Sequence, residues 1–253
     1  MTNDHDEVQL PGNVGGAVRV GDTVRRPTGP WTPAVHALLT HLRDAGLHGV
    51  PEVLGFDDAG REILSFLPGR SIDVDVEIAD DGLLAGAVDW TRRFHDAVRS
   101  FDATGRRWRN AARDPEGDEL ICHHDLGAYN WIVDGDQFVG VIDWDMSGPG
   151  HPIGDLAFMA WNSLPLYREI PEDDIVRRLR LMASTYGAPS ITPADVLRHV
   201  DARMTNAAIR IRTGQQQGDP GMLNLARVGE PDRMLNALGM LRERTPALLV
   251  ALD

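Results

Sequence analysis

Two short apolar runs, at residues 131–133 and 138–142, limit the folds that are open to this chain. They are separated by four polar residues that include an Asp-Gly pair, which is typical of a β-hairpin turn. Asn130 precedes the first run and Asp143 follows the second. Because these two positions are symmetric about the turn, the hairpin should bring an amide and a carboxylate together, in register to within one residue.

The residues around this hairpin predict a phosphotransferase. Asn130 and Asp143 supply the oxygen ligands that Mg²⁺ prefers, and Mg²⁺ takes only one or two of these from protein. Asp125, in the loop that enters the hairpin, should project near the same metal and can accept the proton of an alcohol during phosphoryl transfer. The spacing of His123, Asp125, Asn130 and Asp143 matches the kinase pattern. Taken singly, each of these residues would be a common surface-turn residue.

The positive charge of the chain is carried entirely by arginine. The 253 residues contain 25 arginines and no lysine, which excludes a lysine Schiff base, a lysine general base and the usual phosphate-binding lysine. Because arginine does not deprotonate near neutral pH, the cations of any site here bind charge and do not shuttle protons.

The net charge of −13 disfavours a nucleic-acid phosphate partner and favours a cationic or neutral one. The single cysteine, Cys122, cannot form an internal disulfide, and the acidic N-terminus does not resemble a signal peptide. No apolar run approaches the roughly 18 residues that a membrane span needs. We therefore expect a cytoplasmic globular protein with no nucleic-acid or membrane partner, and a monomer is favoured.

The order of the predicted elements separates a strand-rich start from a helical remainder. Thr32 and Pro33 predict the start of a helix that ends at Gly46, and apolar residues at helical spacing predict further helices around residues 83–95 and from about residue 167 onward. Short strands are predicted at residues 8–10, 17–20, 23–26, 53–56 and 62–66.

Taken together, these motifs resemble the aminoglycoside phosphotransferase and choline kinase branch of the protein-kinase-like fold, the phosphotransferase enzyme family. That family carries His-Gly-Asp, then Asn, then Ile-Asp-Trp and later Asp-Leu-Ala. The resemblance is strongest over residues 120–161, and a narrower one, to phosphotransferases associated with toxin immunity, rests on the early small lobe and on the Pro-Gly that follows Asp143. The matching residues here are His123-His124-Asp125, Asn130, Ile142-Asp143-Trp144 and Asp155-Leu156-Ala157.

The resemblance implies an α+β, two-lobed protein-kinase-like fold with a small antiparallel-sheet N-lobe and a mostly helical C-lobe. Residues 1–69 would form the nucleotide-binding lobe, and residues 70–253 the catalytic and substrate-binding lobe. The implied cofactors are Mg²⁺ and ATP, with GTP as the alternative. The implied site residues are Asp125 as catalytic base; Asn130 and Asp143 as metal ligands; His123, Asp145 and Asp155 in support; and Arg25, Gly15, Gly16, Ser65 and Leu67 at the nucleotide.

The chain also departs from the family pattern. Position 124 is histidine where glycine is usual, and an arginine replaces the lysine of the third strand. Arg25 and Arg26 should point to opposite faces of that strand, and we assign Arg25 to the site. The following helix offers Val35 and His36 where a glutamate partner is expected. The glycine-bearing loop at residues 12–16 is short and lacks the standard glycine pattern.

The leading interpretation is a small-molecule kinase whose acceptor is an aminoglycoside-like antibiotic, another antibiotic or an amino-alcohol. The departures leave a second interpretation open, a kinase-like binding or toxin-immunity protein that has lost catalysis. A third is a metal-dependent phosphohydrolase built on His95-Asp96 and on His123-His124-Asp125.

Overall fold

The computed structural model describes residues 7–10, 16–168 and 170–253. Its N-terminal part is a five-stranded antiparallel sheet in the order β1-β2-β3-β5-β4, with helix α1 inserted between β3 and β4. The elements are β1 (Val8–Gln9), β2 (Val18–Val20), β3 (Thr23–Arg26), α1 (Thr32–Asp44), β4 (Val53–Phe56) and β5 (Glu62–Ser65).

Helix α1 buries one apolar stripe, since Leu38, Leu39 and Leu42 have no exposed surface. The helix begins at Thr32, as the Thr-Pro pair predicts, but Trp31 occupies the N-cap position. The Thr32 hydroxyl instead accepts a hydrogen bond from the Gly29 backbone amide at 2.9 Å.

The remainder is mostly helical, with two small sheets at its start. Strand β6 pairs with the hairpin β8-β9, and β7 pairs with β10. The predicted antiparallel start and helical remainder are confirmed. The elements are β6 (Arg70–Ser71), α2 (Asp81–Ala97), β7 (Leu120–Cys122), β8 (Trp131–Asp134), β9 (Gln137–Val141), β10 (Gly148–Gly150), α3 (Pro152–Ser163), α4 (Glu172–Tyr186), α5 (Pro193–Gln216), α6 (Pro220–Arg227) and α7 (Asp232–Leu252).

The hairpin forms with the predicted register, to within one residue. Trp131 lies opposite Val141, and the Ile142 amide donates to the Asn130 carbonyl oxygen at 3.0 Å. Val139 is an extra, unpaired residue in β9 that shifts the pairing, so that Asn130 faces Ile142 and Asp143 follows immediately.

The segment before β4 is fixed against this hairpin by a close backbone approach. The Val141 amide donates to the Gly49 carbonyl oxygen at 2.9 Å, and a Cβ at Gly140 would lie 2.1 Å from that same oxygen. Only glycine fits at position 140, because the approaching group is backbone and cannot move aside.

The proposed lobes remain residues 1–69 and 70–253, with β6 as the first strand of the second. In the described part of the chain, no helix is long and apolar enough to cross a membrane.

Candidate active site

Asp155, on the first turn of α3, holds the loop that leads from β7 to the hairpin. Its carboxylate accepts hydrogen bonds from the His123 amide at 2.9 Å, the His124 amide at 2.8 Å and the His95 ring at 3.1 Å. Burial opposes the ionisation of Asp155, but the hydrogen bond and charge of His95, with smaller effects of His124 and His123, lower its pKa below the ordinary range. An ionised carboxylate therefore fixes the loop from inside the protein.

His124 occupies a backbone conformation that explains the glycine usual in the family. Its φ is 63°, in the left-handed region that L-residues with a side chain seldom adopt. The ring lies 3.1 Å from the Pro149 carbonyl oxygen, and a Cβ at Gly150 would lie 2.6 Å from its Cε1. The missing side chain at Gly150 provides the space for the ring.

Asp125 follows in the same loop and accepts hydrogen bonds on both carboxylate oxygens. The Tyr129 hydroxyl donates to Oδ1 at 2.6 Å and the Asn130 amide donates to Oδ2 at 2.8 Å. Burial, followed by the negative charge of Asp143, raises the pKa of Asp125 to about 6. A carboxylate with this pKa can accept a proton near neutral pH.

Asn130 and Asp143 fit a magnesium site. The Asn130 Nδ2 donates to the backbone carbonyl of Asp125 at 2.9 Å as well as to its carboxylate, so the Oδ1 atom is left for another partner. Asp143 follows β9 with φ of 63°, and 40% of its side chain is exposed. One amide oxygen and one accessible carboxylate suit Mg²⁺, which completes its shell with water and phosphate oxygens.

The arginine that reaches these aspartates is Arg26. Its guanidinium lies 2.8 Å from Glu62 and 3.3 Å from Asp143, and it is in close contact with Asp145. Burial opposes the charge on Arg26, but Asp145, Asp143 and Glu62 outweigh it and raise the pKa of the guanidinium. A permanent cation therefore lies beside the predicted metal ligand.

Arg25, the arginine that we assigned to the site, does not contact these aspartates. Arg25 lies opposite Ile63 in the ladder, on the other face of β3, and its Nε atom is buried with no hydrogen-bond partner in the described residues. The two arginines do point to opposite faces of β3, as expected. Arg26 takes the inner face because it pairs directly with Glu62, which is 2% exposed. A carboxylate buried this far needs a cation beside it.

Glu62 also supplies the acidic partner that α1 lacks. Its second oxygen lies 2.6 Å from the His36 ring nitrogen, so Glu62 joins β3, β5 and α1. The signal in the sequence is an acidic residue at an inward-facing position of a strand, two residues before the buried Leu64.

Arg109 is a second site residue that the motifs did not indicate. It lies 3.7 Å from Asp145 and 3.2 Å from Asp219, and its guanidinium carbon stands 4.5 Å from the centre of the Trp31 ring. Burial raises the pKa of Asp145 although Arg26 opposes this shift. Asp145 is thus enclosed between two arginines and belongs to the same charged cluster as Asp143.

The remaining predicted residues that the structure describes form no ion pair with this cluster. The His123 ring accepts the Asp125 amide at 3.2 Å and is neutral, because burial lowers its pKa to about 4. The Ser65 hydroxyl accepts the Glu52 amide at 2.8 Å and so turns toward β4. Leu67 is partly buried in the link between the two parts, and Gly16 has a φ of 89°. Gly15, with most of the glycine-bearing loop, lies outside the described residues.

The pairs His95-Asp96 and His123-His124-Asp125 do not come together in the hydrolase cluster that the third interpretation requires. Both ring nitrogens of His95 are occupied, one by the Tyr186 hydroxyl at 2.9 Å and one by Asp155. Asp96 is half exposed and pairs with Arg92. His95, Cys122 and Asp155 do lie within 4.8 Å of one another, but they are buried behind the loop.

Comparison with known proteins places this geometry in a family. Residues 100–187 match the phosphotransferase enzyme family. The chain is 35% identical over 198 residues to the trifolitoxin immunity protein of Rhizobium leguminosarum bv. trifolii, a match that covers 74% of this chain and 72% of that protein.

Two solved structures show the same fold at low sequence identity. A choline/ethanolamine kinase family protein from Mesorhizobium loti superposes with a TM-score of 0.60 at 18% identity, over 94% of this chain and 93% of that one. An amicoumacin kinase in complex with AMP-PNP, Ca²⁺ and Ami superposes with a TM-score of 0.62 at 13% identity, over 96% and 88%. The predicted two-lobed, kinase-like fold is confirmed.

Proposed function

Because the chain belongs to the phosphotransferase enzyme family, we propose that it is a small-molecule kinase that transfers the terminal phosphoryl group of ATP, or of GTP, to a substrate hydroxyl. Asp125 takes the hydroxyl proton as the new oxygen–phosphorus bond forms. The bond between the terminal phosphorus and its bridging oxygen breaks, and the nucleoside diphosphate leaves.

The observation that carries this proposal is the state of Asp125. Burial raises its pKa to about 6, and its Oδ1 already accepts a hydrogen bond from a hydroxyl, that of Tyr129, at 2.6 Å. An acceptor alcohol that replaces the Tyr129 hydroxyl would meet a base matched to neutral pH. The loop that presents Asp125 is held by Asp155, so the base is positioned before substrate binds.

Asn130 and Asp143 would hold Mg²⁺, which would supply positive charge to the phosphate oxygens of the nucleotide. Arg26 lies beside Asp143 and would take the place of the strand lysine. Its planar guanidinium can bind two phosphate oxygens at once and carries a permanent charge. The amicoumacin kinase, which has this fold, was solved with a nucleotide analogue and a divalent cation.

The acceptor is proposed from the same comparisons, and it is an antibiotic or another small molecule with a free hydroxyl. The proteins that are similar to this chain include kinases that act on antibiotics and a toxin immunity protein. Use of ATP as the donor favours a cytoplasmic location. We keep a single chain as the proposed working unit.

Phosphoryl transfer can be tested with the purified chain, Mg²⁺, ATP or GTP, and a panel of aminoglycosides, amino-alcohols, hydroxy acids and neutral alcohols. We expect Asp125→Asn to lower kcat by about 10²–10⁴-fold, the usual contribution of a general base. Asp136→Asn, in the exposed hairpin turn, is the matched control and should leave kcat unchanged. No transfer to any acceptor, together with equal behaviour of all three proteins, would refute the proposal.

Substitution of each arginine of β3 in turn distinguishes a direct contact with the nucleotide from a general effect of charge. Calorimetric titration with Mg²⁺-ATP should show that Arg26→Met weakens nucleotide binding by at least about tenfold, the loss expected for one charge-assisted hydrogen bond. Arg25→Met removes the same charge from the opposite face of the strand and should change the affinity little. The reverse result would place the phosphates on the Arg25 face.

A second candidate function is favoured by one observation. Arg26 already neutralises Asp143 and Asp145, as a bound metal would, which is the arrangement expected of a kinase-like immunity protein that binds its ligand without catalysis. The 35% identity to an immunity protein agrees with this. Such a protein would bind no nucleotide in the presence of Mg²⁺, and the same titration of the wild-type chain decides between the two.

A further inference from the structure

Two arginines of α5 face the catalytic loop. Arg203 and Arg210 are seven residues apart, close to two helical turns, so they lie on one face of the helix. Arg203 donates to the His124 carbonyl oxygen, and its guanidinium carbon stands 4.4 Å from the centre of the Phe158 ring. The face of α5 that carries both arginines is therefore turned toward the loop that holds Asp125.

Neither arginine forms an ion pair with a described residue. The contacts of Arg203 are a backbone carbonyl and an aromatic ring, and its Nε atom is buried without a hydrogen-bond partner in the described residues. Arg210 is partly buried and makes no hydrogen bond within the described chain. The charged or titratable groups that act on it are Arg203, which repels it, and Asp125 and Tyr129, which attract it.

This arrangement costs stability in the free protein. Burial, followed by repulsion from Arg203, lowers the pKa of Arg210 to about 10, so the charged form is held in an unfavourable place. Arg26, Arg109 and Arg178, which are also buried or partly buried, each pair with a carboxylate. A partly desolvated cation that forms no ion pair within the described residues, near a proposed catalytic base, is suited to an anion from outside the chain.

We propose that the acceptor substrate carries an anionic group, a carboxylate or a phosphate, that Arg210 binds while the substrate hydroxyl lies on Asp125. This inference rests on the proposed kinase function and narrows its substrate class. It selects an acceptor with a hydroxyl at one end and a negative charge at the other, and it disfavours simple cationic amino-alcohols, which Arg203 and Arg210 would repel.

Binding can be measured without turnover, by calorimetry of the full chain in the absence of nucleotide. The probes are 4-hydroxybutyrate, 3-hydroxypropyl phosphate, 1,4-butanediol and choline, which share a hydroxyl and differ in charge. We expect the two anions to bind wild-type protein and the diol and choline to bind at least about tenfold more weakly, since one charge-assisted hydrogen bond is lost. The stronger of the two anions identifies the group as carboxylate or phosphate.

Arg210→Gln should weaken anion binding by at least about tenfold. Arg212→Gln is the matched control, because Arg212 lies two residues away on the same helix, is exposed and pairs with Asp232. It should bind the anions as the wild-type protein does. Equal anion affinity in the Arg210→Gln and Arg212→Gln proteins, or preference of the wild-type protein for choline or the diol, would overturn the inference.

Thermal unfolding and a second variant, Arg210→Lys, distinguish a loss of the anion site from a loss of the fold. Removal of an unpaired, partly buried cation should leave the Tm of Arg210→Gln equal to or above that of the wild type. If that variant does not fold, Arg210→Lys, which keeps the charge but loses the planar fork, should still show a several-fold loss of anion affinity, and an unchanged affinity would overturn the inference.

The transfer assay separates failure of this inference from failure of the kinase proposal. If anion binding depends on Arg210 but no acceptor is phosphorylated, the anion site is supported and the kinase proposal is refuted. If cationic or neutral acceptors are phosphorylated and Arg210→Gln does not change this transfer, the kinase proposal is supported and the anion site is refuted.

Discussion

At the scale of single residues, Asp155 holds the loop of the candidate site in place, although it lies outside the predicted metal-binding motif. Its two oxygens accept three N–H groups, two of them from consecutive backbone amides of the catalytic loop. No water competes for these bonds, since the carboxylate is fully buried. The geometry of Asp125 therefore depends on a fully buried residue 30 positions further along the chain.

Asp155→Asn should destabilise the protein by about 3 kcal/mol, because an amide would place an N–H donor against a backbone N–H donor and remove a buried charge. Urea unfolding measures the difference, with Asp118→Asn, at a 92% exposed side chain, as the control. The native pKa of Asp155 lies below its unfolded value, so its contribution is complete above pH of about 4 and is lost as the pH falls below this. If the difference in unfolding free energy between the Asp155→Asn and Asp118→Asn proteins stays constant from pH 6 to pH 3, this expectation is contradicted.

His124 and Gly150 form a pair in which each residue depends on the other. Gly150→Ala would place a Cβ 2.6 Å from the His124 ring, and we expect a loss of about 1–3 kcal/mol, typical of overpacking. In a His124→Gly background the ring is absent, and the same substitution should cost less than about 1 kcal/mol. A double-mutant cycle on unfolding free energies measures this coupling.

Gly154→Ala is the control for this cycle, because it makes the same chemical change in α3, where nothing lies within 4 Å of the new Cβ. It should be neutral or stabilising in both backgrounds. Equal costs of Gly150→Ala in the two backgrounds would show that the ring is not the obstacle.

At the scale of elements, β3, β5 and α1 are joined by a buried polar network. Glu62 of β5 lies between Arg26 of β3 and His36 of α1, at 2.8 Å and 2.6 Å. These contacts decide which face of β3 meets the site. The predicted strands and helix are found in the structure, but the bond that fixes their relative orientation links residues that are 26 or 36 positions apart.

Glu62→Gln should lower the unfolding free energy by about 2 kcal/mol, because a buried carboxylate that holds two cationic or hydrogen-bonding groups becomes a neutral amide. Glu52→Gln is the matched control, since Glu52 lies beside β4, is half exposed and pairs with exposed Arg43. Its effect should stay below about 1 kcal/mol, as for other surface ion pairs. Chemical denaturation of both variants gives the comparison, and equal effects would mean that Glu62 does not organise the sheet.

At the scale of the whole molecule, Arg109 connects three distant parts of the chain. It touches Trp31 at the start of α1, Asp145 after the hairpin and Asp219 at the start of α6. Asp219 also caps α6 through the Met222 amide. The N-terminal part, the charged cluster and the C-terminal helices are thus linked through one side chain.

Arg109→Met should release α6 while the rest of the molecule stays folded. Hydrogen–deuterium exchange should rise by about tenfold in residues 220–227, as expected when one charge-assisted hydrogen bond is lost, and stay unchanged in the first half of α5. Arg113→Met, in the same loop, removes an exposed arginine that pairs with Glu119 and serves as the control. Faster exchange over the whole chain, or none at all, would show that the link is not local to α6.

The sequence by itself determined the strands and helix of the N-terminal part, the hairpin and the order of Asp125, Asn130 and Asp143, because these rest on periodicity and spacing between residues that are close in the chain. Strands β6, β7 and β10 and helix α3 were not predicted. The predicted family and its class of enzyme, a phosphotransferase, are confirmed. The roles of the individual site residues, the division at residue 69 and the acceptor stay proposals. Local spacing could predict the first group because turn geometry and strand alternation act between neighbours in the chain.

Only the tertiary structure decided which arginine meets the aspartates, which glutamate replaces the helix partner, and that Arg203 and Arg210 face the catalytic loop. Arg26 and Asp143 are 117 residues apart, and Arg203 and His124 are 79 apart. Such contacts depend on how whole elements pack, and burial then selects the partner, because a charge removed from water is stable only beside a complementary group.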